Sequence, residues 1–302
     1  MPHSRILNIY LPSPMREDAA AGKVNIVNRI EAAVAPHGLR IAVHGDTPEE
    51  RADPYRRQGW SLFHMQEPVG PRCLCLRQAY QNPFWQIEAT NQRWWFDVAQ
   101  AAFDPDTVDP AAARPFFQRW RRHLVGERTC SRDGFLFMPL QGRISEHRSF
   151  QSMSPLAMIQ ATLEHDLRPI RATLHPRETY SAADLHALED LVRRHPRLSV
   201  VRSDPLALLA ACDLVVTQNS SVALTGYFLR KPAVLFAGVD FHHIAGSVPR
   251  EGVERAFQKA EGTLPDHERY LYWFFQLQTI NGAAPEAEAQ IMARFARHGW
   301  HF

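Results

Sequence analysis

Four short polar clusters combine residue types that could handle an anion: Pro139-Leu140-Gln141, His175-Pro176-Arg177-Glu178, Gln218-Asn219-Ser220-Ser221 and Gly238-Val239-Asp240. Each follows an apolar run. An imidazole such as that of His175 can donate a hydrogen bond to a phosphate oxygen or help a leaving group depart, and the proline after it fixes an extended turn. Ser220 and Ser221 stand where a helix is expected to begin, so two hydroxyls and free backbone N–H groups converge there, a geometry that suits phosphate or carboxylate. Glu178 could accept from ribose hydroxyls. Each residue also has a plainer role: either serine as a helix N-cap, His175 as a loop histidine, Glu178 as a solvated carboxylate.

The pattern of the second half predicts the elements that would bring these clusters together. Strands are expected at Phe135–Met138, Ile170–Leu174, Leu198–Val201, Leu214–Thr217 and Ala233–Ala237. Between them, Ser154-Pro155 opens a helix carrying Leu156, Ile159 and Leu163. Ser181 and Asp184 form a capping box ahead of Leu185, Leu188 and Val192. Pro205–Ala211 and Ser221–Leu229 are further helices. Strict alternation, with strands too apolar to be half exposed, implies a parallel sheet covered on both faces. In such sheets ligands bind beyond the carboxyl ends of the strands, and all four polar clusters leave from those ends.

The first half starts alike. Ile6–Leu11 is a strand; Val24, Val27, Ile30 and Val34 form a helical stripe ended by Pro36 and Gly38; Leu39–Val43 and Trp60–His64 are strands. From Tyr80 to Trp120 the chain is rich in aromatics and proline and carries no assignable pattern. A linker is expected near Val125–Gly134, dividing the chain into residues 1–130 and 131–302. The tail from Asp266 to Phe302 reads as helical, with Tyr270, Trp273, Phe274 and Leu277 along one side.

The 302 residues suffice for two domains, and 45% hydrophobic with 22% charged residues is the composition of a globular protein. A net charge of +2 does not announce a nucleic-acid binder. The basic residues are nearly all arginine, which suits paired-donor recognition of anions but also follows from genome composition. Cys73, Cys75, Cys130 and Cys212 make no zinc pattern and read as free thiols in a reducing compartment. No signal-peptide core stands in Met1–Asp18 and no segment suits a bilayer span, so a cytoplasmic location is expected, with Arg119, Arg121 and Arg122 either a solvated helix face or a peripheral contact at the inner membrane. Asp104-Pro105-Asp106 matches a metal-binding D-x-D but sits in a proline-rich loop, and His242-His243 has no third ligand at a useful spacing, so no metal or cofactor is expected. The dinucleotide, P-loop, esterase and zinc-protease motifs are all missing.

With these residues in place, Phe135–Val248 resembles the bacterial capsule-synthesis proteins that include Kdo transferases. The matching pieces are Pro139-Leu140-Gln141, His175-Pro176 and Asn219-Ser220-Ser221, followed by Gly226, Lys231-Pro232 and Gly238, with Tyr270, Trp273, Gln278 and Asn281 in the tail. The His-Pro and Ser-Ser pair is shared with bacterial sialyltransferases and polysialyltransferases. The resemblance covers about a third of the chain. It implies a GT-B-like α/β fold of two Rossmann-like domains facing a cleft with a helical C-terminal tail: acceptor domain first, nucleotide-sugar-binding domain second. It implies transfer of Kdo or a related acidic sugar from a CMP-activated donor to a glycan or glycolipid, without metal. His175, Ser220 and Ser221 would contact the CMP phosphate and ribose, and Gln141, Pro176, Glu178, Asn219 and Lys231 would complete the substrate site. The acidic pair that supplies the base in the sialyltransferases is absent. Glu88 and Glu146 are therefore the candidate catalytic carboxylates beside His175, with Asp97 and His147 near them. A donor carrying UDP or GDP, and a non-catalytic capsule-assembly partner of the same fold, are the alternatives.

Overall fold

The computed structural model describes residues 5–52 and 58–302, and the chain divides into two compact units. The first comprises residues 1–101 and 274–302, the second residues 102–273. Met1 to Ser4, part of the segment in which no leader was expected, lie outside the described residues.

The first unit is built on a six-stranded sheet of β1 (Ile6–Leu11), β2 (Arg40–Gly45), β3 (Trp60–His64), β4 (Cys73–Gln78), β5 (Phe84–Glu88) and β12 (Ile280–Asn281), in the order β12-β5-β4-β3-β1-β2. The first four strands run parallel; β5 and β12 are antiparallel to their neighbours. Ile26, Val27, Ile30 and Val34 line the buried face of the helix Asn25–Val34, against Leu7, Ile9 and Leu62. The chain leaves this helix through Gly38, whose φ of +74° is a left-handed conformation that a side chain would oppose. Cys73-Leu74-Cys75 proves to be strand, with Cys73 half-buried and Cys75 buried. The unassigned stretch Tyr80–Trp120 contains β5 and most of the helix Pro110–Val125, capped by Asp109.

Two positional expectations change here. The helix Pro110–Val125, placed in the first half by sequence, packs against the helix His267–Tyr272 within the second unit. The tail beyond Trp273 returns to the first unit, where β12 pairs with β5 and the helix Ala287–Arg297 packs on Asn25–Val34. Neither docking is visible in local pattern, since both depend on partners far along the chain.

The returning helix also settles the role of Glu88. Its side chain is 1% exposed, and its two oxygens face Arg294 Nη1 at 3.5 Å and the Asp97 backbone N–H at 3.0 Å. Arg294, itself buried, also reaches Asp97 at 3.1 Å and donates to the Gln278 carbonyl; Arg297 adds a bond to Asp97 at 3.0 Å. Glu88, expected as a catalytic base, is thus shielded from solvent and serves as a counter-ion to Arg294.

The second unit carries six parallel strands: β6 (Leu136–Pro139), β7 (Ile170–Thr173), β8 (Leu198–Val200), β9 (Leu214–Thr217), β10 (Ala233–Leu235) and β11 (Gly246–Ser247), ordered β11-β10-β9-β6-β7-β8. This is the doubly wound order, whose direction reverses between β6 and β9. Both units are thus Rossmann-like α/β structures with helical connections. Leu136, Met138, Leu214, Val216 and Val234 make the centre of the second core, covered by Met158, Ile159 and Leu163 from the helix Pro155–His165.

Removing one member of a buried ion group strands the others. Arg294→Met is expected to destabilise the protein by about 3–5 kcal/mol in chemical denaturation, because Glu88 would stay buried without its cation. A cost under about 1 kcal/mol would contradict this reading of Glu88.

Candidate functional site

The carboxyl ends of β6, β7 and β9 finish level with one another. Pro139 lies opposite Thr173, and the β6–β9 register that pairs Phe137 with Val215 carries Pro139 beside Thr217. Two bonds close that edge: the Thr217 hydroxyl donates to the Pro139 carbonyl at 3.0 Å, and the Leu140 N–H to the Thr173 carbonyl at 2.9 Å. The loops bearing Gln141, His175 and Ser220 therefore leave from one level, around the point where strand order reverses. The Gly238–Asp240 cluster leaves the same edge after β10, although Asp240 itself is fully buried.

Within this edge the side chains differ in how committed they are. Ser220 caps the helix Ser221–Tyr227, its hydroxyl accepting the Val222 N–H at 3.3 Å. Ser221 is exposed, and its hydroxyl makes no hydrogen bond among the described residues. His175 is exposed in a tight turn, with its N–H donating to the Tyr180 hydroxyl at 2.8 Å. Its Nδ1 accepts the Arg177 N–H at 3.2 Å, which places the proton of the neutral ring on Nε2, where it can be donated outward. Pro176 and Glu178 are exposed beside it, and Asn219 is half-buried. Gln141 is half-buried, and Gln218, 2% exposed, donates to the Met153 carbonyl; the Oε1 of each has no partner among the described residues.

The β6 and β7 loops touch at Gly142. A Cβ built there would lie 2.4 Å from Glu178 Oε2, so the glycine lets the carboxylate lie against the backbone. The rest of the β6 loop is anchored at both ends. Asp184 Oδ1 accepts from the Ser145 N–H at 3.1 Å and from its hydroxyl at 2.5 Å, while the Ser181–Asp184 capping box holds the following helix. At the far end the Ser152 N–H donates to the Phe236 carbonyl and the Gly238 N–H to the Phe150 carbonyl, both at 2.8 Å. The Ser145 hydroxyl, foremost, holds the Asp184 carboxyl below its ordinary range. Glu146 is exposed on this loop, 3.4 Å from Arg143. His147 Nε2 contacts the Gln151 carbonyl at 2.8 Å.

Beside His175 and Glu178 opens a groove of about 990 Å³, floored by Leu174, Leu188, Val192 and Val201 and rimmed by Arg202 and Asp204. An apolar floor with a polar rim suits a flat ring bearing a sugar.

Lys231 does not belong to this site. Its ammonium is buried and donates to the Cys212 carbonyl at 2.7 Å and the Ser131 carbonyl at 2.5 Å, at the amino ends of β9 and β10. It precedes a strand rather than following one, so it lies on the opposite edge of the sheet. Its role is to satisfy loop carbonyls, and the expectation that it contacts substrate is corrected. Asp104 caps a short turn by accepting the Asp106 N–H. His242 is buried against the Val239 carbonyl, and His243 contacts the Tyr270 hydroxyl. Glu88, Asp97 and His298 lie close enough to hold a cation, but Arg294 already supplies positive charge there. Arg148, half-buried on the β6 loop, was missed by sequence reasoning; its signal was an arginine two residues before an aromatic in a polar loop.

No protein-family model matches the chain, and no curated protein matches it. Among solved structures it is similar to KpsC of Thermosulfurimonas dismutans described as a beta Kdo 2,7 transferase, with 13% identity over 88% of each chain and a TM-score of 0.49. A KpsC beta Kdo 2,4 transferase of the same organism gives 12% identity over 87% of this chain and 88% of that one, with a TM-score of 0.43. The UDP-GlcNAc 2-epimerase of Methanocaldococcus jannaschii, in complex with UDP-GlcNAc and UDP, gives 9% over 97% and 100%, with a TM-score of 0.36. At these identities and scores the likenesses assign neither a family nor an activity.

The Asp184 anchor has a pH signature. A carboxyl held below its unfolded value stabilises the fold above that value, about pH 4, and loses the effect as pH falls through the folded one. Asp184→Ala should therefore cost about 1–2 kcal/mol at pH 7. That difference should shrink on acidification below pH 4; a pH-independent difference in denaturation would contradict the assignment.

Proposed function

We propose that this chain is a glycosyltransferase taking Kdo or a related acidic sugar from a CMP-activated donor to a surface polysaccharide or glycolipid acceptor. The observation that supports the reading is that the loops of His175, Ser220 and Ser221 leave one parallel sheet at the same level, on either side of β6, and carry in the same order the His-Pro and Ser-Ser motifs of the transferases the sequence resembles. The second unit would hold the donor, and the first, with its own parallel strands, the acceptor.

In this reading the bond between the anomeric carbon and the phosphate oxygen breaks, and CMP departs with the electron pair. His175 Nε2–H and the Ser221 hydroxyl donate to the phosphate as its charge grows, and the Ser220 loop fixes their height above the sheet. Donors placed in advance lower the barrier because nothing has to reorganise as charge develops. Glu178, held by Gly142, faces the ribose hydroxyls, and Pro176 borders the groove proposed for the base. Gln141 and Asn219 supply polar contacts at the same edge. The acceptor hydroxyl loses its proton as it attacks; with Glu88 committed to Arg294, Glu146 is the proposed base. No metal is required once the protein itself balances the phosphate. Among the described residues no helix is long and apolar enough to cross a membrane. We place the protein in the cytoplasm, with contact at the inner membrane where a glycolipid acceptor would lie.

A ligand at 100 times its dissociation constant stabilises the native state by about 2.7 kcal/mol. CMP should therefore raise the melting temperature by several degrees, more than UDP or GDP at equal concentration. Ser221→Ala and His175→Ala should fold normally, lose most of that shift, and lower turnover by about 10²–10³ each. No shift with CMP, or a larger one with UDP, would contradict the donor assignment.

A further inference from the structure

Arg148 is held differently from the other shielded arginines of the second unit. Arg168 engages Asp166, Asp213 and Glu261, and Arg197 donates to the carbonyls of Leu163 and Asp166. Arg148 is half-buried, yet its guanidinium makes no hydrogen bond and has no carboxylate within 4.0 Å among the described residues. Its Nε is wholly buried without a partner, and the group stands 4.8 Å over the Phe150 ring. Glu178 and Glu146 favour its charge from a distance, Arg143 opposes it, and burial, the largest influence, disfavours it. A cation withdrawn from water in this way is destabilising until an anion arrives.

Its backbone is nonetheless fixed. The Arg148 N–H donates to Gln151 Oε1 at 2.8 Å, and Gln151 bridges to Ala237 just past β10. The loop thus holds Arg148 above the carboxyl edge that carries His175 and Ser221. Two amides of the same region have open valences: Gln151 Nε2 on a side chain 6% exposed, and Gln218 Oε1 on one 2% exposed. A fork of N–H donors that stacks on Phe150 but has no hydrogen-bond acceptor among the described residues matches a planar or tetrahedral oxyanion.

Resting on the transferase reading above, we infer that Arg148 is the receptor for an oxyanion of the donor and selects acidic sugars over neutral ones. A 2-keto acid sugar linked to CMP offers two such groups, a carboxylate on the anomeric carbon and the phosphate one oxygen away. Paired N–H donation to either would satisfy the guanidinium and bring the anomeric carbon beside His175 and Ser221. Arg148 is a specificity-determining residue in this account; bond cleavage remains with the His175 and Ser221 donors.

The test is calorimetric titration of wild type, Arg148→Lys and Arg148→Gln with CMP and with CMP-Kdo, alongside ligand-free melting. Arg148→Gln should bind CMP-Kdo at least tenfold more weakly, with Arg148→Lys between it and wild type. Weakening confined to CMP-Kdo assigns the carboxylate and with it the selection of acidic sugars; equal weakening with CMP assigns the phosphate and overturns that selection. The ligand-free variants should melt within about a degree of wild type, because the substitution removes no hydrogen bond or ion pair; a structural arginine would give a fall of several degrees. Wild-type affinity for both nucleotides in Arg148→Gln overturns the inference alone. A wild type that binds neither nucleotide overturns the transferase reading and this inference with it.

Discussion

The pairing of β6, β7 and β9 in common register, closed by Thr217 on the Pro139 carbonyl, fixes everything proposed for the second unit. Backbone hydrogen bonds set the height at which three connections leave the sheet, and the fully buried β6 and β9 leave no slack in that register. A one-residue slip would turn core side chains outward, so the loop heights are as secure as the core itself. Side chains as distant in sequence as Gln141, His175 and Ser221 can then act together without touching one another. What remains mobile in principle is the β6 loop, and it is tied down by Asp184 at one end and by the Phe236 and Gly238 backbone at the other.

The same chain shows opposite uses of buried charge. Glu88 and Asp97 pair with Arg294 and Arg297 inside the first unit, and Lys231 donates to two carbonyls at the amino edge of the second sheet. Both arrangements stabilise and neither leaves a group for chemistry. Arg148, Gln218 and Gln151 instead have polar atoms without a hydrogen-bond partner among the described residues, beside the edge from which the loops of His175 and Ser221 depart. Stability forgone in that way is characteristic of binding surfaces, where complementarity to a ligand and to the folded chain compete.

How much of this was legible in the sequence follows from the range of each interaction. Strands and helices of the second half were readable because apolar periodicity, the Ser154 and Ser181 caps and the prolines at first helical positions are local signals. The edge position of His175 and Ser221 followed from strand direction alone. Lys231 was misplaced although its position before β10 was readable, because its proximity to the resemblance motifs outweighed strand polarity. Glu88 could not be judged without Arg294, some two hundred residues away, whose helix returns to the first sheet. The helix Pro110–Val125 was obscured by Pro115 and by an aromatic-rich flank, and its partner helix lies far downstream. Arg148 went unnoticed because an unpartnered arginine is recognisable only once all its neighbours are known.

A crystal structure of the protein with CMP tests the central claim most directly. The account predicts phosphate oxygens within hydrogen-bonding distance of His175 Nε2 and Ser221 Oγ, with the ribose toward Glu178 and the base in the groove beside Pro176. Nucleotide bound away from the carboxyl edge of β6, β7 and β9, or a phosphate touching neither side chain, would contradict it.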